Sequence, residues 1–208
     1  MSFFNFHHHN IQEKNGIYNV DFQDVYLGNT FSIGLHPKDI TKHWKDNFEI
    51  IKNNSLLPNC LAIGECGLDK RLIANLDLQT KVFREHIFWA NEIQKPIIIH
   101  CVRSYSELFS LKKEAAVPMI IHGFNKNIQL ASDCISKGFY LSFGKATLLT
   151  LSLQNTLKEL PLDKIFLETD TSDFEIEELY QKVAQLKNIS LKNLELQLLE
   201  NLQTIINK

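Results

Sequence analysis

Short apolar runs recur along the chain, each closed by polar residues and separated from the next by a longer stretch. The runs fall at Phe3–Phe6, Ile17–Val20, Phe31–Gly34, Leu61–Gly64, Ile97–Ile99, Met119–Ile121, Tyr140–Phe143 and Ile165–Leu167. They are continuous rather than alternating and rich in Ile, Phe and Val, as parallel strands covered on both faces require. Between them lie helical patterns. Gln79–Gln94 gathers Val82, Phe83, His86, Ile87, Ala90 and Ile93 on one face and turns Lys81, Arg84 and Glu92 outward. Ser104–Glu114, Asn127–Ser136 and Leu151–Leu160 are shorter, and Glu175–Leu186 and Leu191–Ile206 follow the last strand, the latter opened by Ser190 as N-cap. Strand–helix alternation predicts a parallel α/β fold, and eight strands predict a (β/α)8 TIM barrel formed by residues 1–208 as one unit. Such barrels usually need about 250 residues. A chain of 208 residues therefore predicts a trimmed barrel, and His9 to Ile17 is too short for a full crossover helix.

Polar residues fall in a pattern of their own on this frame. His7 and His9 follow the first run, His36 the third, Glu65 the fourth, His100 the fifth, His122 the sixth, and Glu168 and Asp170 the eighth. In a parallel barrel these C-terminal strand ends share one face, where active sites are assembled. Five histidines and three carboxylates converging there make a metal-ligand set of mixed nitrogen and oxygen donors. Alternate strand residues share a face, so His7 and His9 pair while His8 points the other way. Glu65 sits in AIGECG, where an ionised carboxylate after an apolar strand is costly unless paired or metal-bound. His43 and His86 lie in helical stretches and receive no chemistry.

Composition narrows the function classes. The chain is 44% hydrophobic and 22% charged, which excludes disorder and rod-like repeats. Its 22 basic and 24 acidic side chains give a net charge of −2, so charge alone does not wrap a long duplex. No apolar run approaches the roughly 20 residues of a membrane span. MSFFNFHHHN has neither a basic region nor a cleavage site, and the four cysteines form no CxxC pair. A cytoplasmic chain with reduced thiols, monomeric and without a membrane partner, is the expectation.

The ordered motifs NFHHH, SIGLHP, AIGECGLDK, PIIIHC, IIHGF and LETD resemble those of the TatD-type metal-dependent deoxyribonucleases, an amidohydrolase-like barrel family. The resemblance runs from about Phe3 to Asp170, and more loosely over Leu198–Ile206 with Asn201. It implies two divalent metal ions. His7 and His9 match the HxH ligands of the first, Glu65 the bridging glutamate, Asp170 the aspartate completing the first site, and His100 and His122 the ligands of the second. His36 resembles the histidine beside the scissile phosphate. Such a site hydrolyses phosphodiesters by generating hydroxide near neutral pH and clamping the attacking and leaving oxygens, with Asp170 taking the proton of the nucleophilic water. The donor set suits Zn, Mn, Ni or Fe, while the resemblance suggests Mg or Mn.

The departures concern the substrate side. Asn5 stands where the family commonly has Asp, and Arg103 lies three residues after His100 instead of two, so it is either a phosphate clamp or a surface ion-pair partner. NKN after HGF replaces a small Ser/Gly turn, and the segment after Asp170 lacks an aromatic-proline extension. Lys70 and Arg71 either bring positive charge to the barrel mouth or decorate a solvated loop. Asp69 is expected to hold that loop or a water. The reading is a hydrolase of DNA or nucleotide phosphoesters, acting on single-stranded 3′ ends. Its rivals are a metal-dependent amidohydrolase on a small cyclic amide, a hydrolase of small phosphoesters and a non-catalytic metal-binding relative.

Overall fold

The computed structural model describes residues 3–23, 28–72 and 75–207. Eight strands, β1 (Asn5–His8), β2 (Gly16–Val20), β3 (Phe31–Ile33), β4 (Cys60–Asp69), β5 (Ile97–Val102), β6 (Met119–Ile121), β7 (Phe139–Phe143) and β8 (Ile165–Leu167), form one all-parallel sheet in chain order. A parallel bridge between His8 and Asp170 joins its two edges: Asp170 N–H donates to His7 O at 3.0 Å and His9 N–H to Asp170 O at 3.2 Å. The fold is the (β/α)8 barrel that the alternation predicts.

Helices α1 (Trp44–Ser55), α2 (Leu76–Ile93), α3 (Tyr105–Lys112) and α4 (Ile128–Ser136) follow strands β3 to β6 in turn. Two short helices, α5 (Ala146–Leu149) and α6 (Leu151–Glu159), follow β7, and α7 (Ile176–Lys187) and α8 (Leu191–Ile206) follow β8. Residues 9–15 join β1 to β2 without a helix, the shortened crossover that the spacing requires. Helix α2 begins at Leu76 because the Asn75 side chain accepts the Asp77 N–H at 2.8 Å. The bounds of α1 are not evident from the hydrophobic pattern because Trp44, Phe48 and Ile51, on its buried face, are diluted by a polar run; His43, expected within a helical stretch, is its N-cap instead.

The core has an inner and an outer part. Phe6, Ile17, Ala62, Ile98, Ile120, Tyr140 and Phe166 form an inner cluster that Leu202 and Ile205 of α8 complete. Phe6 and Phe166 stack at 4.1 Å. The alternate residues of the same strands turn outward against α1 and α2, or against α3 to α8. Asn201 of α8 donates through Nδ2 to Leu162 O and Ile165 O, at 2.7 and 3.0 Å, so α8 meets β8 at its N-terminal end. The opposite, C-terminal face is left for chemistry.

Strand β4 differs most from its expected span. Its glycines read as a turn after Gly64, yet the strand continues through Asp69. Gly64 has φ +147°, and a Cβ there would stand 2.5 Å from Ile98 O. Gly67 lies opposite His100, where a Cβ would meet His100 O. The register with β5 shifts between Ile63 and Cys66. Glu65 thus lies within a strand, its carboxylate turned to the barrel axis, and His7 and His100 also lie inside their strands.

Candidate metal centre

Glu65 is the hub. It is only 7% exposed, and its two carboxylate oxygens face different histidines. Oε2 lies 3.6 Å from His7 Nε2 and 3.8 Å from His9 Nε2. Oε1 lies 2.7 Å from His100 Nδ1, 2.8 Å from His122 Nε2 and 3.4 Å from His36 Nε2. Asp170 Oδ1 completes the first side, 3.8 Å from His7 Nε2 and 3.6 Å from His9 Nε2. All six ligands matched by the resemblance, and His36, are therefore brought together from six strands or the residues just after them. His8 turns away, toward Tyr18 at 5.9 Å.

The donor set fits metal ions. His7 is buried with neither ring nitrogen hydrogen-bonded, a costly state unless a cation takes the lone pair. The gaps of 3.6–3.8 Å around His7, His9, Glu65 and Asp170 are too long for hydrogen bonds. Ligands about 2.0–2.2 Å from a shared ion stand roughly 3–3.5 Å apart, so small adjustments would seat one. His7, His9 and Asp170 offer one set of donor atoms within 4.8 Å of one another, and His7, Glu65 and His122 a second.

A carboxylate lies behind each of the other two histidines. His100 Nε2 lies 3.2 Å from Asp69 Oδ2, and His122 Nδ1 lies 3.4 Å from Glu168 Oε1. A neutral imidazole carries one N–H, so an Nε2–H held by Asp69 would free Nδ1 of His100 to bind a cation in place of its contact with Glu65. His36 is wired the opposite way. Its Nδ1 accepts the Lys38 N–H at 3.0 Å, which leaves Nε2 as the proton-bearing nitrogen facing the cluster. In that tautomer Nε2 is a hydrogen-bond donor, here 3.4 Å from Glu65 Oε1, although His36, Glu65 and His100 also bring donor atoms within 4.8 Å of one another.

Glu168 and Asp69 are the residues that sequence reasoning leaves without these roles. Glu168 is buried, and its Oε1 also accepts the Gly123 N–H at 2.6 Å. Asp69 does hold its loop as expected: Oδ1 accepts the Arg71 N–H at 2.8 Å, and the Arg71 guanidinium reaches Oδ2 at 2.9 Å. Gln79 of α2 in turn brackets the Asp69 backbone, with Oε1 accepting its N–H and Nε2 donating to its carbonyl. Only the register of β4 against β5 shows that the same carboxylate reaches His100.

Electrostatics follow from this packing. Burial alone would raise the Glu65 carboxyl, but the His122 charge and hydrogen bonds from His100, His122 and His36 hold it well below the ordinary carboxylate range. Burial opposes charge on His122 too, yet Glu65 and Glu168 on either side raise its pKa. His9 is lowered by burial and by the charge of His7.

A cavity of about 360 Å³ opens beside the cluster, lined by Arg71, His100, Arg103, His122, Lys126 and Asp170 among others. Arg103 is exposed there, with its backbone in the left-handed region at φ +54°. Asp170 also has positive φ, +52°, held by the seam hydrogen bonds and by Asn5, whose side chain accepts the Thr169 N–H at 3.0 Å and donates to Thr169 Oγ1 at 2.8 Å. Lys70 is instead paired with Glu107 at 2.8 Å and does not line this cavity.

Residues 22–207 match the family model described as TatD related DNase. An uncharacterised metal-dependent hydrolase of Bacillus subtilis, YabD, is 34% identical over 145 residues, covering 67% of this chain and 57% of the relative. The 3′-5′ ssDNA/RNA exonuclease TatD of Citrobacter rodentium is 28% identical over 162 residues, covering 74% and 62%. The chain thus spans less than two thirds of the length of these curated relatives. Among solved structures, the TatD homologue YJJV of Escherichia coli superposes with a TM-score of 0.85 at 19% identity, over 100% of this chain and 98% of that one. A TatD family hydrolase of Entamoeba histolytica gives 0.80 at 16%, over 99% and 98%. These two likenesses concern the fold. No helix among the described residues is long and apolar enough to cross a membrane.

Proposed function

The chain belongs to the TatD-related DNase family of metal-dependent hydrolases, and on that premise we propose that it hydrolyses phosphodiester bonds of single-stranded DNA from the 3′ end. The observation that carries the reading is the division of Glu65, whose Oε2 faces His7 and His9 while Oε1 faces His100 and His122. His7, His9, Glu65 and Asp170 would hold one divalent cation, and Glu65, His100 and His122 a second, with Mg or Mn as the proposed ions. When bound, such a pair supplies a water acidified toward neutral pH and positive charge for the oxygens of the phosphoryl group. Asp170, which lines the cavity, would accept a hydrogen bond from an attacking water and take its proton. His36 donates Nε2–H to a phosphate oxygen, and Arg71 and Arg103 offer guanidinium groups from the far wall. The activity for which the Citrobacter relative is named supports the substrate class.

The test is a screen of chelator-treated protein, reloaded with Mg, Mn, Zn, Ni or Fe, against labelled single-stranded DNA, duplex DNA, RNA, small phosphodiesters and a cyclic amide. Metal-dependent shortening of single-stranded DNA from its 3′ end is expected. Asp170→Asn should lower it by at least about 10²-fold, because it removes a charged ligand and the base together. Wild-type turnover by a well-folded Asp170→Asn protein overturns the assignment, and hydrolysis of the cyclic amide alone replaces it.

A further inference from the structure

A cavity of about 540 Å³ lies away from the histidines. It is a groove between α4 and α6, lined by Asn125, Lys126, Asn127, Asn155 and Lys158 over a floor that includes Ile128, Ala146 and Leu153. The groove borders the catalytic cavity. Asn125 and Lys126 line both, and a smaller cavity containing Gly123, Asn125, Lys145 and Asp170 shares Asn125 with each. The turn that separates them is NKN, the segment that replaces a small Ser/Gly turn.

Charge gives this path a direction. Apart from Glu168 and Asp170, which belong to the histidine cluster, Lys126, Lys145 and Lys158 lie along it against the carboxylate of Glu159. Across Thr169, Asp170 and Ser172, which line both, a cavity of about 440 Å³ beside β1 and β8 adds Glu13, Asp173 and Glu175 and is lined by no Lys or Arg. A polyanion leaving the metal centre is drawn toward the lysines and repelled from the carboxylates. The rim carries apolar surface as well. Leu149 and Leu151, flanking the groove residue Thr150, are 77% and 71% exposed, the highest values among large apolar side chains of the described residues. Unstacked bases have faces that would cover such side chains, whereas the paired bases of a duplex are already stacked.

We propose that this groove is the track for the body of a single DNA strand whose 3′ end lies in the catalytic cavity. Its phosphates follow Lys126, Lys145 and Lys158, and its bases rest on Leu149, Leu151 and Ile128. The inference rests on the nuclease reading of the metal centre, but binding tests it separately from turnover.

The experiment measures fluorescence anisotropy of 5′-labelled, phosphorothioate-backbone strands, which resist hydrolysis, on metal-loaded protein. A trimer reaches only the catalytic cavity, and a dodecamer of the same 3′ sequence fills the groove as well. Wild type should bind the dodecamer at least tenfold more tightly than the trimer. In Lys158→Glu and in Leu149→Ser/Leu151→Ser, all three at exposed positions, that ratio should fall toward one. The salt dependence of dodecamer binding should also weaken in Lys158→Glu, by roughly 0.7 in the slope of log K against log salt for each phosphate that is no longer neutralised. An unchanged ratio in both variants overturns the track and leaves the nuclease reading intact if wild type still cleaves. A collapsed ratio in protein that cleaves no phosphodiester supports the groove and overturns the reading of the metal centre.

Discussion

His86 is a histidine that the fold keeps neutral. It is buried in α2, its Nε2 accepts the Leu35 N–H at 3.0 Å, and its Nδ1 lies 2.8 Å from Val82 O as donor. A second proton would displace the Leu35 hydrogen bond, and burial pushes the pKa down to about 4. The unfolded chain takes up a proton near pH 6.5, so as pH falls it gains what the fold refuses. Stability is therefore unaffected by this group above pH 6.5 and is lost between pH 6.5 and 4, by about 3 kcal/mol in total. Urea unfolding in chelator near pH 7 and near pH 4.5 checks this: the loss should be visibly smaller in His86→Gln. Equal losses would mean that His86 is not the group responsible. Leu35 precedes His36, so the same hydrogen bond braces the strand end that presents His36 to the cluster. Residue chemistry is legible in the sequence wherever it depends on one strand. The period of two separates His8 from His7 and His9 without any structure. It is illegible wherever two strands meet: Asp69 touches His100 only because Gly67 pairs with His100 and Asp69 with Val102.

At the scale of elements, one amide supplies the side-chain hydrogen bonds that join α8 to the start of β8, beside the packing of Leu202 and Ile205. Asn201 Nδ2 donates to Leu162 O and Ile165 O, and its Oδ1 accepts from Gln197 Nε2 at 3.0 Å, all beneath the strand that leads to Glu168 and Asp170. Asn201→Leu keeps the volume but leaves two carbonyls without this donor, at a cost of about 1–3 kcal/mol. The melting temperature should fall by roughly 2–4 °C for each kcal/mol in a chain of this size. An unchanged melting curve would show that α8 is held by Leu194, Leu198, Leu202 and Ile205 alone. The sequence shows α8 in full, from its Ser190 cap to Ile206, because its apolar period is uninterrupted. Helix boundaries elsewhere differ by a few residues where a cap or a left-handed residue, such as Asn75 or Gln94, decides the end. Strand β4 reads as too short because glycine, usually punctuation, is used here for close approach of two backbones.

The whole molecule brings together a recessed centre, a net charge of −2 and a mouth divided into basic and acidic sides. With Glu65 at 7% exposure, the proposed nuclease activity requires a scissile phosphate to descend into the barrel mouth to meet the cluster. A single-stranded end can do so directly. A blunt duplex end must first part its strands, and each base-pair step opened costs about 1.4 kcal/mol, or roughly a factor of ten. A net charge of −2 gives the chain little overall attraction for phosphate with which to recover that cost by gripping the rest of the duplex. Blunt duplex DNA closed by G·C pairs should therefore be cut at least about tenfold more slowly than the same strand alone. An A·T-closed end should be cut faster than a G·C-closed end, and a short 3′ overhang should restore the single-strand rate until the overhang is consumed. The check is a time course on four substrates of one sequence, 5′-labelled: single strand, G·C blunt, A·T blunt and 3′-overhang. Equal initial rates on the single strand and the G·C blunt duplex would mean that strand separation costs the reaction nothing. The centre would then have to be reached by intact duplex, which the recess at the barrel mouth argues against.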